Sequence, residues 1–368
     1  MSRIFTRGVA SAAEAASTVV SEQSKASLKI ANPVMRRAVM EGEWKIGPPS
    51  LKTRKAKRAY YSPIGLKEVF PLALQVLEKN AANHYTEAKK LEDQLARKPN
   101  RPDRDAVKDK ITHHKVRAEL HNPEAVYNHI IKHSDFNEPV YRYLAERDWR
   151  SHDLLLLMQR LETLKVIPDT MPTIEPRAHV RLQFPGVVNK WVEPGTVLRN
   201  EVAAKRPILT VQEFDEVSEG SLYTVVIVDP DTPDLETDSF KTTLHWAVSN
   251  VPLSNVNHEV DANKGNELVG YLPPHPEKNT PTHRYSVWVF RQATPEEAIR
   301  KIDVDQTDVA RERFDIRAFA DKYGLTAVGA HVFRVNYDRS TDSVREKFGL
   351  GPGMVYSRVR RGVHKDQL

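Results

Sequence analysis

The sequence predicts a mainly β, α+β protein: an antiparallel β-domain with peripheral helices, preceded by a helical extension and followed by a basic tail. Three observations carry this expectation. Leu222–Pro233, Thr243–Pro252 and Thr282–Phe290 are apolar, β-prone runs whose polar residues gather at their ends. His179–Phe184, Val197–Leu198 and Ile208–Val211 are shorter runs set between Pro and Gly turns. Upstream, apolar residues recur at helical spacing among Glu and Lys from Leu66 to about Lys98, and several shorter helical stretches follow.

At 368 residues the chain exceeds an ordinary single domain, and 40% hydrophobic content is enough for a sizeable core. There is no cysteine, which excludes disulfides, thiol catalysis and thiolate-held zinc. No apolar run reaches the length of a membrane span. The net charge of +6 is unevenly spread. Residues 1–170 hold 30 basic and 21 acidic side chains (+9), residues 171–340 hold 19 and 25 (−6), and residues 341–368 hold 6 and 3 (+3). An acidic middle between basic ends is suited to anchoring on a polyanion.

In chain order, residues 1–30 read as a mitochondrial presequence-like segment. Arg3 and Arg7 lie among Ser and Ala, Ile4, Phe5 and Val9 would share a helix face, and no acid precedes Glu14. Residues 31–165 form a basic arm and helical extension. Between Glu41 and Pro63, Lys52, Arg54, Lys55, Lys57 and Arg58 precede Tyr60 and Tyr61. Such a run cannot enter a core. It reads either as an extended arm that sets cations on phosphates and rings on bases, or as a plain linker.

The helix from Leu66 stops at Lys98-Pro-Asn-Arg-Pro102, and a second, from about Asp103 to Asn122, carries His113, His114 and Lys115. Glu124–His133, Val140–Trp149 and His152–Leu164 follow, with Asn137 and Ser151 as expected N-caps. The last is strongly apolar and is expected to pack on the β-domain. His129 and His133 are four apart, a metal-ligand spacing, but position 130 is Ile and no third ligand is evident, so they read as solvated or RNA-facing. Residues 166–340 form the β-domain, entered through Val166–Pro172, with short helices expected at Pro295–Lys301 and at Phe314–Tyr323, the latter stopped by Gly324. Residues 341–368 are a basic tail: a helix at Asp342–Phe348, then Tyr356 ahead of Arg358, Arg360 and Arg361.

Four motifs then stand in a telling order: Asp229-Pro-Asp-Thr-Pro233; His245-Trp246 leading to Asn250-Val-Pro252; Tyr271–Tyr285 ending in His-Arg-Tyr; and Phe314–Leu325 followed by Val328–Asp338. Together they resemble the phosphatidylethanolamine-binding protein family across roughly Thr173 to Asp338. The resemblance implies that family's β-fold and a small anion pocket built from Asp229, Asp231, His245, His283 and Tyr285, possible because imidazole and phenol donate to phosphate oxygens while Asp229 fixes a histidine tautomer. It also raises a cis proline in the acidic turn. The pocket loop departs from the pattern: where relatives tend to place glycines, this chain has Pro273 and Pro274, which have no N–H to offer an anion, and Glu277 adds negative charge. The five pocket residues are therefore expected to be vestigial, with no small-anion or phospholipid ligand.

No Gly-x-Ser-x-Gly elbow, phosphate loop or metal constellation is present, so neither catalytic residues, nor a metal, nor a cofactor is expected. The resemblance, the presequence-like start and the basic ends converge on the mitochondrial large ribosomal subunit, in a fungal form of the family's ribosomal branch. On that expectation the extensions bind rRNA through Lys52, Arg54, Lys55, Lys57, Arg58, Arg358, Arg360 and Arg361, the β-domain docks neighbouring ribosomal proteins, and the location is the mitochondrial matrix. The alternative is a phospholipid-headgroup binder or an inhibitor of a kinase or protease, which leaves the helical extension and the charge asymmetry unexplained.

Overall fold

The computed structural model describes residues 28–41, 51–61, 64–98, 102–186, 190–217, 220–293 and 299–357. The presequence-like stretch up to residue 27, most of the expected Pro295–Lys301 helix, and Arg358, Arg360 and Arg361 lie outside these residues. The chain divides into two compact units, one up to Arg147 and one from Asp148.

The first unit is helical: α1 (Pro33–Glu41), α2 (Arg54–Ala59), α3 (Leu66–Arg97), α4 (Arg104–Glu119), α5 (Pro123–Ile130) and the start of α6 (Pro139–Ser151). α3 and α4 pack along one another. The small side chains of Ala81, Ala88 and Ala118 are buried, which lets helix backbones approach closely, while Leu74, Leu77 and Tyr85 pack around Leu28. Buried polar groups tie the entering strand of chain down. Asn122 Nδ2 donates to Lys29 O at 2.8 Å, and the Glu124 carboxylate accepts from the backbone of Ala31 and Asn32.

Three local expectations are corrected here. Asn137 does not cap α6, which begins at Pro139, and Ser151 is the last residue of that helix, its hydroxyl donating to Asp148 O at 2.7 Å. His129 and His133 do not share a helix face, because α5 ends at Ile130 and Lys132 turns to φ +62°. The basic run Arg54–Ala59 is a short helix rather than an extended arm. Thr53 caps it by accepting from Ala56 N at 3.1 Å, and Ala, Lys and Arg are all good helix formers.

Among the described residues the second unit holds nine strands: β1 (Ala178–Gln183), β2 (Trp191–Val192), β3 (Val197–Leu198), β4 (Ile208–Glu213), β5 (Leu222–Asp234), β6 (Ser239–Pro252), β7 (Asn266–Val269), β8 (His283–Arg291) and β9 (Thr326–Val335). They form a three-stranded sheet, β2-β1-β4, and a six-stranded sheet, β3-β9-β8-β5-β6-β7. The pairings are antiparallel except β3 with β9. Around these lie α7 (Asp153–Thr163), α8 (Ile316–Tyr323) and α9 (Arg339–Lys347).

Strand alternation builds two cores. Tyr285, Val287 and Val289 of β8 point into the space between the sheets, with Val180, Leu182, Leu209 and Phe333. Trp288 and Phe290 point the other way, under Leu157 and Leu161 of α7 and Phe319 and Ala320 of α8. The central strands β5 and β8 are thus covered on both faces, which is why they read as nearly continuous apolar runs. Gly329 of β9 marks a close approach of the two sheets: a Cβ there would come to 2.5 Å from Val180 Cγ2. Asp315 caps α8 by accepting from Arg317 N and Ala318 N, and Gly324 ends it at φ +60°. α9 begins at Arg339, earlier than expected, because Asp338 and Thr341 form a reciprocal capping box.

Candidate anion pocket and basic helix

Asp229-Pro-Asp-Thr-Pro233 is not a turn. It is the end of β5, bulged against β6 between Asp229 and Thr232, and the hairpin turns beyond Asp234. A cis peptide is found at Ile167–Pro168, and the bond before Pro230 is trans. The bulge re-aims two carboxylates in different directions. Asp229 enters the protein and is 2% exposed; Asp231 stays partly exposed and meets Arg284 of β8.

Asp229 and His283 form a buried pair: His283 Nδ1 donates to Asp229 Oδ2 at 2.8 Å. Burial alone would raise the Asp229 pKa, but the His283 charge and hydrogen bond overcome it and hold the carboxyl below its ordinary value. Burial likewise opposes a charged His283, and the same carboxylate outweighs it, so the imidazole pKa is raised. His283 Nε2 lies 3.0 Å from Thr280 Oγ1. Thr–His–Asp is the composition of a nucleophilic triad, but the polarity is reversed. The Thr280 hydroxyl donates to Glu277 O at 2.8 Å, so it accepts from His283, which donates from both nitrogens and has no site left to take a proton.

Asp231 is fully engaged. Arg284 Nε donates to its Oδ2 at 2.8 Å and Nη2 to its Oδ1 at 2.6 Å, a bidentate pair, and the Arg284 backbone N–H adds a third bond. The other guanidinium nitrogen, Nη1, reaches Leu164 O, Lys165 O and Asp169 Oδ2, stapling the chain after α7 to the sheet.

His245 is 1% exposed and locked to the loop Tyr271–Thr282: its Nδ1 donates to Leu272 O and Leu272 N donates to His245 O, both at 2.8 Å. Its ring meets His275 at 5.4 Å and the edge of Tyr285 at 5.0 Å. Burial, then the nearby His275, pull its pKa down to about 4, so it is neutral at physiological pH. Tyr285 stacks on Phe333 at 5.3 Å. Its buried hydroxyl lies beside the Asp229 carboxylate, and burial, then that charge, push its pKa well above the ordinary value. Pro273 and Pro274 are both buried. The rim of the loop is strapped from outside: Lys278 N donates to Met354 O and Tyr356 N to Lys278 O, while Arg345 Nη1 bonds Glu277 Oε1 at 3.1 Å and His275 O at 3.2 Å.

The structure therefore brings Asp229, His245, His283 and Tyr285 together and turns Asp231 outward. Sequence reasoning missed Arg284, Thr280, His275 and Arg345. Arg284 was readable as the middle residue of His-Arg-Tyr, where strand alternation sends it to the face opposite His283. The other three act through loop contacts that no short-range pattern encodes.

In the first unit, α2 presents Arg54, Lys55, Lys57 and Arg58, with Lys52 just before its Thr53 cap, and none of the five has an acidic partner among the described residues. Tyr60 and Tyr61 follow at 37% and 88% exposure.

Residues 188–333 match the model of the phosphatidylethanolamine-binding protein family. The chain is 31% identical over 233 residues to the large ribosomal subunit protein mL38 of Schizosaccharomyces pombe, covering 63% of this chain and 73% of that one. A crystal structure of a carboxypeptidase Y inhibitor complexed with its proteinase is 18% identical, with a TM-score of 0.42, covering 51% of this chain and 99% of the inhibitor chain. The phosphatidylethanolamine-binding protein of Plasmodium vivax is 19% identical, with a TM-score of 0.38, covering 49% of this chain and 97% of that one.

Proposed function

This chain belongs to the phosphatidylethanolamine-binding protein family, in the line of the large ribosomal subunit protein mL38, and from that premise we propose that it is a non-enzymatic, structural component of the mitochondrial large ribosomal subunit. It binds rRNA through its basic extensions and docks neighbouring ribosomal proteins through its β-domain.

The observation that carries the RNA contact is the uncompensated charge of α2. Five cations in the seven positions 52–58 find no carboxylate among the described residues. Phosphates supply that counter-charge, with counterion release as the driving force and little base reading. Arg358, Arg360 and Arg361 are proposed as a second set on composition alone. For protein docking, exposed apolar side chains stand on both units. Leu235 and Phe240, at 62% and 64% exposure, flank the β5–β6 turn, and Val69, Leu72 and Val76 line one face of α3. Residues 1–30 act as the import signal to the matrix.

The pocket is read as a relic that serves folding. Its one outward carboxylate is paired, one histidine is neutral, the other is consumed by Asp229 and Thr280, and its loop is closed. The test is sedimentation of the tagged protein from a mitochondrial lysate through a sucrose gradient, with large-subunit RNA probed across the fractions. Co-migration that RNase abolishes is expected. A protein that stays at the top of the gradient at low salt ends the ribosomal reading.

A further inference from the structure

A second cluster of basic side chains in the helical unit stands apart from α2. α3 and α4 bring His84 and His114 together with their Nδ1 atoms 3.1 Å apart and ring centroids 5.4 Å apart, and the His113 ring lies 6.0 Å from that of His114. At this distance one Nδ1 donates and the other accepts, so at least one ring is neutral. A second proton would set two N–H groups and two charges against each other.

The acids nearby are already engaged. Glu87, three residues along α3 from His84 and within reach of the His114 charge, is paired with Lys90 at 2.6 Å. Glu92 is paired with Lys115 at 2.8 Å, and Glu119 accepts from Tyr85 and Asn122. Arg117 adds its charge toward His84 and has no acidic partner among the described residues. Burial, then His114, Arg117 and His113, all depress the His84 pKa, and no carboxylate opposes them. A cation is therefore a poor guest, and no group of three metal-ligating side chains is assembled among the described residues. An anion offsets the repulsion from His114, Arg117 and His113.

We propose that His84, His113, His114 and Arg117 form a pH-dependent docking site for the phosphate backbone of RNA, in addition to helix α2. The choice of RNA among polyanions rests on the ribosomal reading above. A phosphate placed between the rings allows both His84 and His114 to be protonated and to donate. Binding then takes up protons, and affinity rises as pH falls.

The test uses the full chain and a fluorescent RNA hairpin at about 0.1 M salt, titrated at about pH 8 and about pH 6. The wild type is expected to bind about fivefold more tightly at the lower pH. The variant His84→Gln/His113→Gln/His114→Gln is expected to lose that increment while keeping its far-ultraviolet circular dichroism and unfolding midpoint. Arg117→Gln is expected to weaken binding at both values. Equal wild-type affinity at the two pH values, or an increment that survives the triple substitution, overturns the proposal. So does an increment abolished by EDTA, which would assign the rings to a metal. The α2 reading fails separately: neutralising Lys52 and the four cations of α2 should weaken binding at both pH values and leave the ratio intact, and unchanged binding there removes α2 without touching the histidines.

Discussion

His283 donates to Asp229 across 2.8 Å at the junction of β8 and β5, with both residues 2% exposed. The two ionise in opposite directions, and the sign of each fixes a pH window. The Asp229 pKa is depressed on folding, so its contribution is present above the ordinary carboxyl value near 3.8 and lost as pH falls through the folded value. The His283 pKa is raised, so its contribution is complete below 6.5 and lost as pH rises through the folded value. The pair is worth most between those limits. Urea unfolding from acid to alkaline pH should show this part of the stability as a plateau in that interval, absent in Asp229→Asn. His283→Ala, which leaves a buried carboxylate alone, should cost about 3–5 kcal/mol. A wild-type profile indistinguishable from that of Asp229→Asn would dismiss the ion pair.

Arg284→Lys should destabilise the second unit by about 1–3 kcal/mol, because an ammonium cannot reproduce the bidentate grip on Asp231 while also holding Leu164 O and Lys165 O. Hydrogen exchange should quicken first in residues 164–170, and uniform protection there would contradict the stapling role.

Gly329→Ala should cost about 1–3 kcal/mol, since the new methyl meets Val180 Cγ2 at 2.5 Å and Ala178 O at 3.3 Å across the sheet interface. The double variant Gly329→Ala/Val180→Ala should recover part of that loss in thermal unfolding. Failure to recover any would place the strain elsewhere.

Calorimetric titration with O-phosphorylethanolamine should show no saturable heat in the millimolar range, and His245→Ala should leave RNA binding unchanged. Saturable binding lost in that variant would restore the pocket as a working site.

The fold was legible because its signals are local. Apolar runs mark strands buried on two faces, Gly324 marks a helix end, and Asp229-Pro-Asp with His283-Arg-Tyr285 mark two neighbouring strands. The candidate site was only half legible. The family resemblance brought Asp229, Asp231, His245, His283 and Tyr285 to one list, but a bulge after Asp229 decides which carboxylate turns inward, and the motif does not show it. The short helix α2 was misread as extended because a cation run and aromatics were weighed above helix propensity and the Thr53 cap. The His84–His114 contact joins positions thirty residues apart, and no sequence spacing announces it.

The closed loop Tyr271–Thr282 behaves as a ratchet. Its closure is spread over the reciprocal bonds of His245 with Leu272, the His275 ring, two buried prolines and the strap at Lys278 and Glu277. Glycine at position 273 or 274 would supply one N–H and leave the rest shut. Each further reversal would lose packing before any ligand could compensate. On the proposed reading of the pocket as a relic, a route to anion binding runs uphill through several substitutions, and this face of the β-domain is left to serve other purposes, such as holding a neighbour in place.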